Sequence, residues 1–151
     1  MTHEEFINEY LQNSMWINEN NDKWIIKGGI LFIRDNLDFT RLEFADLRHI
    51  TELPDNLHIK GWLDTQKTKI TSFPENLYIG NMLFINDSWV YELPDSIAFG
   101  LPLGSDYILN TKVKASEKLQ LKLISQDSRF IKYFKKPTKK AKALHGLLWE
   151  L

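Results

Sequence analysis

The amino-acid sequence predicts an α+β fold: a short right-handed parallel β-solenoid of 20-residue coils, with an N-terminal cap helix and a C-terminal helical tail. Three observations predict it. A pattern recurs at a fixed period, as ITELPDNLHIKGWLD from Ile50, ITSFPENLYIGNMLF from Ile70 and, more loosely, VYELPDSIAFGLPLG from Val90. Capping residues followed by apolar residues at helical spacing mark both ends. Charge divides the chain, with 8 basic and 16 acidic side chains in residues 1–104 against 11 basic and 4 acidic in residues 105–151. The expected organisation is a cap helix over 1–18, a repeat region over 19–104 and a basic helical segment over 105–151, all in one folded unit.

At the N-terminus, Thr2 and Glu5 stand at capping-box spacing, and Phe6, Ile7, Tyr10 and Leu11 share one helical face. That predicts a helix covering the first coil, whose core and strand edges would otherwise be open. Residues 25–49 are expected to hold one or two degenerate coils. There Ile26-Lys27-Gly28 echoes Ile59-Lys60-Gly61, and Asp35-Asn36-Leu37 echoes Asp55-Asn56-Leu57.

In the clear repeats, apolar residues recur at Ile50/Ile70/Val90, Leu53/Phe73/Leu93, Leu57/Leu77/Ile97, Ile59/Ile79/Phe99 and Leu63/Leu83/Leu103. One coil cannot bury these residues alone, but stacked coils bury them in a continuous core. The stretches LHIKGWLD and LYIGNMLF alternate apolar and polar about a central bend. They predict two short strands per coil, with Gly61 or Gly80 supplying a positive φ at the corner. The LPDN and FPEN segments predict a helical or 3₁₀ turn, with Pro in its first position and an acid near its positive end. A loop with Gly100, Pro102 and Gly104 leads to the tail. Ser116 is expected to cap one helix and Thr138 another, in which Ala141, Leu144, Leu147, Leu148 and Leu151 form an apolar stripe.

The L-P-x-x-L core of these repeats, with its apolar flanks, resembles the short 20-residue class of bacterial leucine-rich repeats over about residues 50–103. The buried Asn ladder of that family is not evident; Thr68 and Ser88 stand near its place. The whole chain, with its Lys-rich tail, also resembles repeat proteins of large tailed bacteriophages. That resemblance implies a protein acting on a bacterial host.

The composition, 43% hydrophobic and 26% charged over 151 residues, is that of a globular chain. No apolar run approaches the roughly 20 residues a membrane helix requires, and MTHEEFINEY lacks the basic-then-apolar layout of a secretory signal. No membrane association and a cytoplasmic location, in the host cell if viral, are expected. The absence of cysteine excludes disulfides and thiolate chemistry. No G-x-G-x-x-G loop and no H-E-x-x-H motif occurs. His49 and His58, on neighbouring coils, could approach a carboxylate such as Asp64, but a plain surface position is the expectation for each. The chain is therefore expected to be no enzyme, with no catalytic residues, no metal and no cofactor.

Three groups of residues point to binding instead. Trp62, Tyr78, Trp89 and Tyr91 lie outside the core columns, and such aromatics dominate binding hot spots. Asp55, Glu75 and Asp95 form an acidic column at strand spacing that would meet a basic partner, or else serve each turn locally. In the tail, Lys135, Lys136, Lys139, Lys140 and Lys142 cluster with Tyr133 and Phe134, a pattern that can hold nucleic acid. The expected function is a non-enzymatic protein-binding module acting on a host protein, as inhibitor of a defence factor or modulator of host machinery. The alternatives are a nucleic-acid-associated protein using the Lys-rich tail, and a virion or assembly component that oligomerises through an open edge.

Overall fold

The computed structural model describes residues 1–12, 23–86, 88–100 and 111–149. It is an α+β structure whose strands form two sheets. β1 (Trp24–Lys27) and β2 (Ile30–Ile33) make an antiparallel hairpin. Its two-residue turn is Gly28-Gly29, with φ of 61° and 76°, the left-handed pair that a tight hairpin requires. β3 (Leu37–Asp38), β4 (Leu57–Ile59), β5 (Leu63–Asp64), β6 (Tyr78–Ile79), β7 (Leu83–Phe84) and β8 (Ala98–Phe99) follow. The larger sheet runs β1-β2-β4-β6-β8 and the smaller β3-β5-β7. Every pairing after the hairpin is parallel.

The register explains the repeat. His58 pairs with Tyr78 and Tyr78 with Ala98, each 20 residues on, and Leu63 pairs with Leu83 at the same interval. The first step is longer: Leu31 pairs with Leu57, 26 residues on. The six additional residues match in number the 3₁₀ segment Leu42–Leu47. The echo of Ile59-Lys60-Gly61 is therefore Ile33-Arg34-Asp35. The sequence-based match to Ile26-Lys27-Gly28 fails because that stretch enters an antiparallel hairpin. Likewise Asp35-Asn36-Leu37 corresponds to Gly61-Trp62-Leu63, since Leu37 pairs with Leu63.

The five apolar columns are buried at every described position; Leu103, Pro102 and Gly104 lie outside the described residues, as does the predicted cap helix beyond Gln12. The corners differ from expectation in one way. Gly61 and Gly80 do not take positive φ. That conformation falls to Asn56 (56°) and Asn76 (57°) in the proline turns, where Asn tolerates it by bonding locally. The glycines serve close approach instead: a Cβ on Gly80 would strike the Lys60 carbonyl oxygen, and one on Gly100 would lie 2.5 Å from the Tyr78 hydroxyl. The proline segments form single turns that do not continue into a helix, as where the Ile97 N–H donates to the Pro94 carbonyl at 3.1 Å, the i to i+3 bond of one 3₁₀-type turn.

Both ends are covered. α1 (His3–Phe6) carries the capping box between Thr2 and Glu5 and runs into a wider π turn over Ile7–Leu11. Phe6, Ile7, Tyr10 and Leu11 are all buried. At the other end Ser116 caps α2 (Glu117–Gln126), a 3₁₀ segment spans Ser128–Tyr133, and Thr138 accepts from the Ala141 N–H at the start of α3 (Lys139–Trp149). α2 covers the far edge of the larger sheet. Lys122 Nζ donates to the Ile97 carbonyl at 3.3 Å and Gln126 Nε2 to the Phe99 carbonyl at 2.7 Å. These bonds occupy backbone acceptors that an edge strand would otherwise present to another chain. In α3 Ala141 is buried and Leu144 and Leu148 are half-buried, but Leu147 is 65% exposed. The predicted stripe is thus narrower than its sequence spacing; Leu151 lies outside the described residues.

Candidate functional site

The four aromatic candidates separate into two kinds. Trp62 Nε1 donates to Asp38 Oδ2 at 3.2 Å, its ring meets Phe84 edge-on at 6.4 Å, and Arg41 lies over it at 5.7 Å. It covers the seam between repeats. Tyr78 stacks on His58 with ring centroids 4.0 Å apart and is half-buried. Trp89 and Tyr91 are different: they flank the buried Val90 and are 57% and 56% exposed. Beside Tyr91 lies an open hollow of about 420 Å³, between the 71–73 and 91–95 segments, with Phe73 and Leu93 among its lining and Glu92 and Asp95 at its rim. Lys135 reaches over the other side of Tyr91, 5.8 Å from the ring centroid.

The acidic column remains exposed, and it is also a hydrogen-bonded ladder. Asp55 Oδ1 accepts from the Glu75 N–H at 2.9 Å, Glu75 Oε2 from the Ser96 hydroxyl at 2.6 Å, and Asp95 Oδ1 from the Ser116 hydroxyl at 2.5 Å. Each acid thus ties its own turn to the next one along, which offsets the like-charge repulsion of the stack. Beside it Asn76 Nδ2 donates to Asn56 Oδ1 at 2.9 Å. Thr68 and Ser88 do take corner positions: their hydroxyls accept from the N–H groups of Ile70 and Val90.

In the tail, Lys135, Lys136, Lys139, Lys140 and Lys142 are all exposed. Tyr133 and Phe134, however, are 6% and 1% exposed. The bridge between Val113 and Phe134 turns those rings into the core, so they are not available to stack bases. Around these lysines the described residues therefore offer charge without an aromatic platform.

His49 and His58 do not converge on Asp64. His49 packs on Tyr10 at 6.0 Å, and His58 lies between Phe32 and Tyr78 on the outer face of the larger sheet. Asp64 instead sits beside Asp38 in the smaller sheet, both nearly buried. Burial, together with the neighbouring Asp38 charge, pushes the Asp64 carboxyl up to about 6 against the bonds from Gln66. Its oxygens accept from the Gln66 N–H and side-chain amide, and those of Asp38 from Thr40 and Trp62. The pair closes two equivalent Asx turns. Sequence reading missed it because the 26-residue first step hides the Asp38–Asp64 equivalence. Aligning Leu37 with Leu63 would have exposed it.

The same shift hid a second surface. On the outer face of the larger sheet Phe32, His58 and Tyr78 form a continuous ring ladder, with centroid spacings of 4.9 and 4.0 Å. A hollow of about 400 Å³ beside it is lined by Ile25, Phe32 and His58 together with Lys27, Arg34 and Lys60. Among the described residues, no helix is long and apolar enough to cross a membrane, and no group of three or more His, Cys, Asp or Glu side chains could hold a metal ion. Comparison of the chain with family models, curated proteins and solved structures finds no match.

Proposed function

We propose that the chain is a non-enzymatic protein-binding module. In this reading the 20-residue repeats are coils of a short right-handed parallel β-solenoid of the leucine-rich-repeat kind, closed by a cap at each end. A protein partner seats on the ridge formed by Trp89 and Tyr91. The observation that carries the reading is the exposure of these two rings, 57% and 56%, on either side of a buried valine. Large aromatics with few rotatable bonds supply much contact area at low ordering cost, and they cluster at binding hot spots. The rim acids Glu92 and Asp95, the latter in line with Glu75 and Asp55, favour a partner that brings lysine or arginine. The resemblance to phage repeat proteins makes that partner a host protein, with inhibition of a defence factor or redirection of host machinery as the outcome.

The test is capture of partners from nuclease-treated bacterial lysate by the tagged protein and by a Trp89→Ala/Tyr91→Ala variant. One stoichiometric protein is expected on the parent chain, and capture falls at least tenfold on the variant with its melting temperature unchanged. Equal capture by both chains would sink the proposal. A second reading rests on the exposure of all five tail lysines. It predicts weak, steeply salt-dependent nucleic-acid binding that is lost when Lys135, Lys136, Lys139 and Lys140 are changed to Glu.

A further inference from the structure

The outer face of the larger sheet combines two features that neither the ridge nor the tail offers together. The first is cationic charge with no acidic counterpart among the described residues. Lys27, Arg34 and Lys60 surround the hollow over Ile25, Phe32 and His58, all three cations are exposed, and no carboxylate among the described residues lines it. The ion pairs of the neighbouring strands, Lys23 with Asp35 and Arg41 with Asp38, do not involve them. The second is an aromatic ladder that runs across three strands, Phe32 on β2, His58 on β4 and Tyr78 on β6.

The register places the charges. Ile33 pairs with Ile59, so the next residues, Arg34 and Lys60, stand side by side just past the ends of β2 and β4, about 5 Å apart at strand spacing. Lys27 pairs with Ile30, four residues back along β2 from Arg34, a separation of about 13 Å at the rise of a strand. Positive charge therefore sits at both ends of an apolar floor, spaced for successive phosphates more than for one. The floor ends the ring ladder at Phe32. Its neighbour His58 has its pKa lowered by burial, so at neutral pH it is an uncharged ring in the stack. Ile25, paired with Phe32 on β1, continues the floor beside the ring, so a planar base laid over Ile25 and Phe32 covers apolar and aromatic surface together, whereas the side chains of an acidic peptide gain nothing from it.

We infer that this face binds single-stranded nucleic acid, with bases against the Phe32–His58 floor and phosphates at Lys27, Arg34 and Lys60. The site is separate from the Trp89–Tyr91 ridge, and its test is independent of the proposed protein partner.

The experiment is fluorescence anisotropy of labelled ten-nucleotide oligo-thymidine and oligo-uridine strands, titrated with the full chain across a salt series. Saturable binding is expected, and its affinity falls as salt rises. The triple charge reversal Lys27→Glu/Arg34→Glu/Lys60→Glu lies wholly on exposed side chains and is expected to fold as the parent does, checked by circular dichroism. It should lose more than tenfold in affinity, and the slope of log affinity against log salt should shrink by about 2, or 0.7 for each phosphate contact removed. Phe32→Ala should weaken binding on the order of tenfold. The four-lysine tail variant should bind like the parent. Absence of binding by the parent chain at low salt overturns the inference. So does loss of binding in the tail variant but not in the triple variant. Equal competition by a poly-glutamate peptide or by duplex DNA would show charge alone at work, and equal competition by a free mononucleotide would rule out a strand as the ligand.

Discussion

At the scale of single residues, Asp64 shows how a repeat stores a conflict. Its carboxyl is buried beside Asp38, and its pKa rises from the ordinary 3.8 to about 6. The folded state thus holds a proton that the unfolded state releases. The stability this gives is complete below the unfolded pKa and is lost as pH rises through the folded one. Asp64→Asn should therefore stabilise the protein at neutral pH by about 1–2 kcal/mol and flatten the stability profile between acid and pH 6, as read by urea unfolding over that range. A second buried group next door behaves similarly. The Thr65 hydroxyl is fully buried with no hydrogen-bond partner among the described residues. Thr65→Val keeps the shape and removes the unmet polar atom, so a gain of about 1 kcal/mol is expected in the same assay.

At the scale of elements, two glycines should respond in opposite directions. Gly80 lies in the bend between β6 and β7, against the Lys60 backbone carbonyl. Gly80→Ala should cost about 1–3 kcal/mol, because that carbonyl is held in the stack and cannot move aside. Gly146, inside α3, faces open space, and Gly146→Ala should gain up to about 1 kcal/mol of helix propensity. Thermal melts of the two variants would show the contrast, and equal shifts would contradict it. The same comparison shows what was legible in advance. The apolar columns, all three helix caps and the buried face of the N-terminal segment follow from local spacing and were readable. The role of Gly80 was not, because it depends on the distance to a residue one repeat away. The start of the stack was misread for a related reason: Ile26-Lys27-Gly28 carries the same local alternation as a repeat strand, and only pairing distinguishes a hairpin from a parallel step. The candidate aromatics were found by type, but their exposure was set by neighbours. Asp38 and Phe84 engage Trp62, whereas Trp89 is left 57% exposed.

At the scale of the whole molecule, the two ends of the larger sheet are unlike. β8 is closed by side chains of α2, and β1 returns antiparallel on β2. Between them the repeats from β4 onward are interchangeable units in the proposed solenoid, each bonding to the next through the same 20-residue register. Inserting a second copy of residues 70–89 after position 89 should then give a longer monomer that unfolds in one transition, with a urea m-value raised in proportion to the added surface. A chain that aggregates, or that melts in two steps, would show that the repeats do not propagate and would count against the solenoid.

The near-constant register has a kinetic consequence. Parallel sheets usually form slowly, because their strands are joined by long connections that must close before any pairing is gained. Here each strand meets its partner only 20 or 26 residues further along a chain of 151. Every loop to be closed is short, and each closed loop presents the edge on which the next is built. Refolding should therefore run in milliseconds, faster than for β-sandwiches of similar length. It should proceed as a zipper along the stack, which stopped-flow tryptophan fluorescence can time.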